Sequence, residues 1–345
     1  MRKKIVSVFV FSLAIVLLSA EEAALPVTHE RVERQLEKAE KDFQDAQKMF
    51  DPWYAGPLLS GGAHILEAGQ VNIQPYFYYF DNYAHFDRHG KSHDDPHILQ
   101  QVNPVAILQF GVFDKKIDSV VTVQALYNKL QHHSIMNITD TSIALRWGVF
   151  PETSYYPAVL FAVKESFPTG KYNHLSPHKN GIDGTGSGSY KTSLVLNFSK
   201  IIWWVWPKHP MNFRLSNSYT FSSKVSVKNF NAYGGGFGTR GKVDPGDQFS
   251  TDFGYEFSVT QRWVLALDVA YTFSLKTTFS GRQGVDGDGL PAIVGAPFND
   301  QLSLAPAVEY NLSPDLGFIG GVWFPVWGRN SANFISGIIS VTYTF

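Results

Sequence analysis

The sequence of 345 residues contains no cysteine, so disulfide bonds, thiolate metal sites and cysteine nucleophiles are excluded. Charged residues are also scarce, at 17% of the chain, and Lys and Arg (29) do not outnumber Asp and Glu (30). A nucleic-acid-binding protein usually carries a basic excess, and we therefore expect no nucleic-acid partner. Beyond the first twenty residues there is no run of 18 apolar residues. This argues against a membrane span formed by a helix.

The first twenty residues have the order of a secretory signal peptide. Three basic residues precede residues 5–18, which are apolar except for two serines, and Ser19 and Ala20 then form a small-residue cleavage site. The alternative is a transmembrane anchor. Fourteen residues span about 21 Å at 1.5 Å per residue, however, which is short of the roughly 30 Å hydrocarbon core. We therefore predict that residues 1–20 are a signal peptide of an exported protein.

A short amphipathic helix is predicted next, within residues 21–50. Apolar residues recur there at spacings of four and three, and charged or amide side chains lie between them: Val32, Leu36, Ala39, Phe43, Ala46 and Phe50. We interpret it as a periplasmic helix that packs on another element; a plug in a lumen and a self-associating stalk remain alternatives. Residues 51–67, rich in Gly and Pro, are interpreted as a linker.

From residue 68 onward the apolar period changes from 3.6 to 2, which is the period of a β-strand. Residues 262–276 show it most clearly, with apolar and polar side chains on opposite faces. We predict twelve strands: 68–80, 98–112, 118–130, 139–149, 157–167, 189–199, 211–223, 248–259, 262–276, 300–311, 316–325 and 333–345. Short and long connections alternate between them. The pattern predicts an all-β fold, a transmembrane antiparallel β-barrel over residues 68–345 with about 12 strands.

Several features favour the Gram-negative outer membrane over a soluble sandwich or lipocalin-like barrel. The strands are longer than those of most globular sheets, and a tilted strand of about 9–11 residues crosses a bilayer. Aromatic residues cluster near strand ends, as in the girdles of outer-membrane barrels. An even strand number with short periplasmic turns places both ends of the barrel in the periplasm. The terminal alternation, with Tyr343 and Phe345, resembles the signal that such proteins present to the barrel assembly machinery.

Charged residues occur on the face opposite the apolar one. In a dry core so many charges would be costly, whereas a water-filled lumen tolerates them. We therefore predict that the following residues line the lumen: Arg146, Arg214, Asp252, Glu256, Arg262, Asp268 and Glu309.

A strand that closes in Pro168-Thr169-Gly170 is followed, after a polar loop, by the glycine-rich run at residues 184–188. This arrangement resembles the outer-membrane family named for the meta-pathway of phenol degradation. Members of that family are annotated transporters, so the resemblance implies a transport function. It covers most of residues 65–345 by architecture but only residues 164–199 by motif. The charged N-terminal helix and the His-rich first loop depart from the family, so its substrate is not carried over.

Histidine is concentrated in the long loops. His85, His89, His93 and His97 are spaced four apart, with acidic residues between them, and imidazole with carboxylate suits Zn, Cu, Ni or Fe. A metal site is one interpretation, and a polar exposed loop is the other. Enzymes also occur on outer-membrane barrels, but no spacing of Ser, His and Asp supports a catalytic set. We expect neither enzymatic activity nor a cofactor.

These patterns predict an outer-membrane channel or transporter for small solutes, apolar or aromatic ones included. The alternative is a surface-displayed structural or adhesin-like barrel whose His-rich loops bind a partner or metal ions without transport. The expected partners are outer-membrane lipid, the barrel assembly machinery and a small-molecule solute. Homo-oligomer formation is left open.

Overall fold

A computed structural model describes residues 28–49, 52–206 and 208–345. The predicted signal peptide, residues 1–20, lies outside these ranges, as do residues 21–27, 50 and 51. The chain divides into two compact units, with the boundary between Asp45 and Ala46.

The first unit contains most of the predicted amphipathic helix, which is present as α1 (His29–Met49). On its apolar stripe Leu36 is 47% exposed, whereas Val32 and Ala39 are half-buried. Among the described residues, no helix has the length and apolar character needed to cross a membrane.

The second unit is built almost entirely from antiparallel strands. In the described ranges these are β1 (Val71–Phe86), β2 (Ser92–Phe113), β3 (Ile117–Leu130), β4 (His133–Ile138), β5 (Thr141–Phe150), β6 (Ala158–Phe167), β7 (Lys191–Ile202), β8 (Met211–Ser222), β9 (Val225–Lys228), β10 (Arg240–Asp244), β11 (Gln248–Ser258), β12 (Trp263–Ser274), β13 (Thr278–Arg282), β14 (Asn299–Asn311), β15 (Leu316–Arg329) and β16 (Ser331–Thr344). A single turn of 3₁₀-helix spans Pro177–Lys179.

Twelve of these strands close into a barrel, which confirms the predicted fold class. The order around the wall is β1, β2, β3, β5, β6, β7, β8, β11, β12, β14, β15 and β16. Closure occurs where β1 pairs with β16, in a register that places Asn72 opposite Thr344. Backbone hydrogen bonds between Val71 and Phe345 extend this seam to the last residue. A closed barrel leaves no unpaired strand edge, which is the condition for spanning lipid with strands.

The two ends of the barrel differ. One end, called the turn end here, carries both termini of the barrel and the short connections that follow β2, β5, β7, β11 and β14. The other, the loop end, carries the longer connections, including a small sheet of β9, β10 and β13. Buried Val225, Val227 and Val243 form an apolar cluster within that sheet.

The first and last predicted loops are shorter than the sequence suggested. Residues 81–97 were expected to be a loop, but β1 continues to Phe86 and β2 begins at Ser92. The loop predicted at residues 326–332 is likewise reduced to a turn at Asn330, because β15 ends at Arg329 and β16 begins at Ser331. Polar residues are frequent in both hairpins, at residues 92–95 in the first and at residues 329–331 in the last, so the alternation that reveals a lipid-facing strand is weak there.

The barrel wall has an apolar outside and a mostly polar inside, the reverse of a soluble sheet protein. Along β12 the outward side chains Trp263, Leu265 and Leu267 are 49%, 50% and 37% exposed. Val264 and Asp268 lie on the opposite face of β12, point inward and are fully buried. This register fits a lipid-facing outer surface and places charged groups inside the barrel.

Replacing Leu267 by Arg should therefore impair folding of the barrel. A cationic side chain on the lipid face near the midplane costs roughly 2–4 kcal/mol. The folded fraction, read from heat-modifiable gel migration after refolding into vesicles, should fall for Leu267→Arg. It should stay at the wild-type level for Leu267→Met, which conserves volume and polarity. Normal folding of the Arg variant would show that the assigned faces of β12 are reversed.

Candidate functional site

The lumen of the barrel is occupied by a stretch of its own chain. Residues 53–66, called the lumen segment here, lie within the range predicted as a linker and connect α1 to β1. The segment has no regular secondary structure, as expected for a stretch with Pro57 and glycines at 56, 61 and 62. An irregular chain leaves its backbone N–H and C=O groups without intrachain partners, and these groups must be satisfied by the barrel wall.

Three carboxylates of the wall accept hydrogen bonds from the backbone of the lumen segment, and two of them lie on β12 and β14. Asp268 of β12 accepts from the N–H of Ser60 at 3.0 Å and from the N–H of Leu59 at 3.2 Å. Glu309 of β14 accepts from the N–H of Ala55 at 2.8 Å. Both carboxylates are fully buried. Hydrogen bonds to a charged acceptor are stronger than those between neutral groups, so these two residues anchor the segment.

A buried ion pair supports the segment on the β3–β5 side of the wall. Arg146 binds Asp118 in a bidentate manner, with both N···O distances at 2.6 Å. The same guanidinium donates to the carbonyl oxygen of His64 at 2.9 Å, and Asp118 accepts from the N–H of Leu66 at 3.2 Å. Both members of the pair therefore hold the lumen segment as well as each other.

A second ion pair lies on the β8–β11 side of the wall, between Arg214 of β8 and Glu256 of β11. The guanidinium Nε lies 2.8 Å from Glu256 Oε2, and the side-chain amide of Asn212 donates to the same oxygen at 2.7 Å. The lumen segment passes directly over Arg214, because a Cβ at Gly62 would lie 2.6 Å from its Nη1. Gly62 therefore allows the backbone to approach the guanidinium closely.

Neutral contacts complete the docking of the segment. Asn197 donates to the carbonyl of Gly62, and Ser199 accepts from the N–H of Ala63 at 2.9 Å. Leu58 is buried against small and branched residues of the wall: Ala266, Ala305, Ala307, Ile319 and Ile338. The segment is thus held by hydrogen bonds along its length and by one apolar anchor.

The lumen segment does not fill the whole cross-section. A cavity of about 500 Å³ remains between it and the wall formed by β1, β2, β3 and β16. Its wall is mixed, with the polar side chains of Asn72, Gln74 and Gln109 beside apolar ones, and it reaches Asp315 in a turn of the turn end. Polar lining groups make this cavity suitable for water.

Aromatic side chains form a second feature of the lumen, along the wall of β1, β15 and β16. Tyr76, Tyr78 and Phe80 stack in sequence, with ring centroids 5.7 and 6.1 Å apart. Phe80 also contacts Trp323 and Phe334 edge to face, at 5.8 and 5.3 Å. We call these five residues the aromatic ladder. Trp323, Tyr76 and Tyr78 pack against the apolar cluster around Leu58, so the ladder leads from the lumen segment toward the loop end.

The two parts of the motif that suggested the family resemblance are residues 168–170 and residues 184–188. They come together at the loop end, around Asp140. Its carboxylate accepts from the N–H of Gly170 at 3.1 Å, from the N–H of Ser187 at 2.9 Å and from the Ser187 hydroxyl at 2.7 Å. A Cβ at Gly170 would lie 2.6 Å from the Cα of Gly186. The two glycines are therefore required for close packing of the two chain stretches, and Asp140 holds them together.

Six of the seven residues predicted to line the lumen lie on its inner wall: Arg146, Arg214, Asp252, Glu256, Asp268 and Glu309. Arg262 does not. β11 ends at Ser258 and β12 begins at Trp263, so Arg262 lies in the exposed turn between them. Sequence reasoning missed Asp118, although the alternation of β3 places it on the inward face. It also missed the lumen segment, whose composition is that of a linker.

The four histidines predicted as metal ligands lie on the β1–β2 hairpin. His85 and His93 are paired across the strands with rings stacked at 5.8 Å, and each contacts an aspartate, Asp95 and Asp87 respectively. His89 accepts from Arg88, and His97 lies on β2. Within the described ranges, no three His, Asp or Glu side chains are grouped so as to hold a metal ion.

The carboxylate of Asp87 is occupied by hydrogen bonds within the turn of this hairpin. The carboxylate accepts from the backbone N–H groups of Lys91 and His89 as well as contacting His93. The hydrogen bond from Lys91, followed by the contact with His93, lowers the pKa of the Asp87 carboxyl well below its usual range. The hairpin is thus organised by His–Asp contacts.

Comparison with solved structures finds outer-membrane barrels among the similar folds. The chain superposes on the COG4313 outer membrane channel from Pseudomonas putida F1 with a TM-score of 0.64 at 11% identity, over 84% of this chain and 100% of that one. The translocator domain of autotransporter NalP from Neisseria meningitidis gives a TM-score of 0.43 at 9% identity, over 93% and 100% of the two chains. No family model and no curated protein matches the sequence. The first likeness shows a shared fold.

Replacing Asp268 by Asn should loosen the lumen segment without unfolding the barrel. The amide presents only one acceptor oxygen, so one of the N–H groups of Leu59 and Ser60 loses its partner. A hydrogen bond to a charged acceptor contributes about 1.5–3 kcal/mol, and 1.4 kcal/mol corresponds to about tenfold in an equilibrium constant. Amide hydrogen exchange at residues 59 and 60, followed by mass spectrometry, should accelerate by about tenfold or more.

Asp252→Asn is the matched control for this measurement. Asp252 lines the same lumen on β11 but forms no hydrogen bond with the described residues of the lumen segment. Exchange at residues 59 and 60 should therefore stay at the wild-type rate. Equal exchange in wild type and Asp268→Asn would mean that this carboxylate does not anchor the segment.

Proposed function

We propose that the chain is an outer-membrane channel for small solutes, closed by its lumen segment and opened when that segment moves. The observation that carries the proposal is the way the segment is held. Its backbone binds Asp268, Glu309, Asp118 and Arg146 through non-covalent contacts, and it adds no strand to the barrel. Its release would therefore leave every wall hydrogen bond intact.

The lumen itself supports passage of a solute. Two ion pairs, and the contacts of Asp268 and Glu309 with the segment, satisfy six of the lumen charges. A cavity with polar and apolar lining already runs beside the segment to the turn end. Twelve strands give a lumen between that of filled eight-stranded barrels and open sixteen-stranded porins. A narrow, gated channel is the function that this size suits. The aromatic ladder favours solutes with apolar or aromatic parts over fully hydrated ions.

The remaining assignments follow from the same proposal. We place the turn end with both termini in the periplasm and the loop end outside the cell, as in outer-membrane barrels with short periplasmic turns. The outward apolar surface contacts lipid, and Tyr343 and Phe345 serve as the assembly signal. The packing around Asp140 supports kinship with the family of the meta-pathway of phenol degradation. No catalytic role is proposed.

Enlarging Gly254 tests the gate. Gly254 lies on the inner wall of β11, and a Cβ there would lie 2.1 Å from Ser60 Oγ and 2.9 Å from Pro57 Cγ. A leucine at this position should therefore expel the segment, and planar-bilayer conductance of Gly254→Leu should rise to that of a variant lacking residues 53–66.

Gly337→Leu provides the control, because nothing lies within 4 Å of a Cβ at Gly337, on the outer face of β16. Its conductance should equal that of the wild type, and heat-modifiable migration should show that all variants fold. The gating proposal is wrong if the deletion variant conducts no better than the wild-type protein.

A further inference from the structure

Two lysines face the lumen near its loop end. Lys164 on β6 follows the inward-facing series Ala158, Leu160 and Ala162, which are buried. Lys191 on β7 precedes the inward-facing Ser193, Asn197 and Ser199, of which the last two bind the lumen segment. The strand register pairs Lys164 with Ser193 and Ser166 with Lys191. The two lysines are thus diagonal neighbours on one face, close enough for their charges to interact.

Neither ammonium group is neutralised by an acidic residue in the described ranges. Within the described part of the chain, Lys164 and Lys191 take part in no ion pair and no side-chain hydrogen bond. Asp140 is the acidic group that acts on Lys191, and its oxygens are occupied by Gly170 and Ser187. Two like charges side by side in a partly buried place are unfavourable, and a bound anion would relieve both.

Space for such an anion is present beside the pair. A cavity of about 610 Å³ opens at the loop end, and Lys191 and Asp140 are the charged residues that line it. Its other lining groups include the uncharged side chains of Gln124, Gln248 and Asn299. The cavity is therefore bordered by the ammonium group of Lys191, which has no hydrogen-bond partner among the described residues, and by one carboxylate, Asp140, whose oxygens are already occupied by Gly170 and Ser187.

An apolar surface lies on the opposite side of the lumen. In the twelve-stranded order, β6 and β7 are six strands away from β15 and β16, so they face them across the barrel. Trp323 of β15 and Phe334 of β16 pack together at 5.0 Å and form the loop-end part of the aromatic ladder with Phe80. The indole N–H of Trp323 is bound to Ser303, so the ring offers an apolar face.

We infer that the loop-end half of the lumen binds small organic anions, with the carboxylate at Lys164 and Lys191 and the ring or apolar body toward Phe80, Trp323 and Phe334. Lysine ammonium groups form strong charge-assisted hydrogen bonds with carboxylate, and aromatic rings stabilise a planar apolar body by stacking. The inference rests on the proposed function for its place in transport. It names the solute class as organic anions rather than neutral hydrocarbons.

Binding to the folded protein in detergent tests the inference without any transport step. Titration calorimetry should show that benzoate binds more tightly than benzamide, which lacks the charge, and more tightly than acetate, which lacks the ring. The double variant Lys164→Met/Lys191→Met should bind benzoate about tenfold or more weakly, because it removes both charge-assisted contacts. Lys164→Arg/Lys191→Arg should retain binding, and the exposed Lys242→Met should bind as the wild type does.

A variant of the ladder separates the two halves of the site. Trp323→Ser should reduce the preference for benzoate over acetate while leaving acetate binding unchanged. Equal binding of benzoate and benzamide, or undiminished benzoate binding by the double Met variant in its heat-modifiable folded form, would overturn the inference.

Failure of this inference can be told apart from failure of the gating proposal. A barrel that conducts when residues 53–66 are removed but shows no preference for benzoate overturns the anion site alone. A barrel that prefers benzoate through the two lysines but stays closed without the segment supports the anion site and overturns the gate.

Discussion

Mutual hydrogen bonding between the lumen carboxylates and the backbone of residues 53–66 is the interaction on which the rest of this structure depends. Asp268 and Glu309 are fully buried, and neither forms an ion pair with a cation among the residues that the structure describes. An isolated buried carboxylate is costly. The lumen segment, in turn, is irregular and has N–H groups that need acceptors. Each partner supplies what the other lacks, so the segment remains in the lumen although it belongs to no strand.

The closed barrel makes this arrangement possible. Because every strand edge is paired, the outer face can be apolar while the inner face holds charges. The inner face is itself divided into two sides. Ion pairs, carboxylates and lysines lie on the walls of β3 to β14, and stacked rings lie on β1, β15 and β16. A solute with one charged and one apolar part would match both sides. In the closed state the lumen segment contacts both sides itself: its backbone binds Asp268 on the charged side, and its Leu58 packs near the stacked rings.

The sequence was sufficient to predict the barrel, and less so its contents. Alternation with period 2 located all twelve wall strands, since lipid on one side and water on the other impose opposite polarity on successive residues. The same pattern placed Asp268 and Glu309 inside. It misplaced Arg262, because a shift of one residue at a tight turn moves a side chain out of the wall. The lumen segment could not be foreseen, since its Gly and Pro residues are equally typical of a linker and its partners are more than fifty residues away in sequence.

A reversible covalent tether between the segment and the wall tests the central claim most directly. The chain has no cysteine, so Ser60→Cys/Gly254→Cys can form only one intramolecular disulfide. The Cβ of residue 60 would lie 3.2 Å from that of residue 254, close to the roughly 3.5–4.5 Å of disulfides. The account predicts that the disulfide forms under oxidising conditions, that the oxidised protein stays closed in a planar bilayer, and that a reductant restores the gating of the unlinked protein. Failure of the disulfide to form, or the same open conductance before and after reduction, would contradict it.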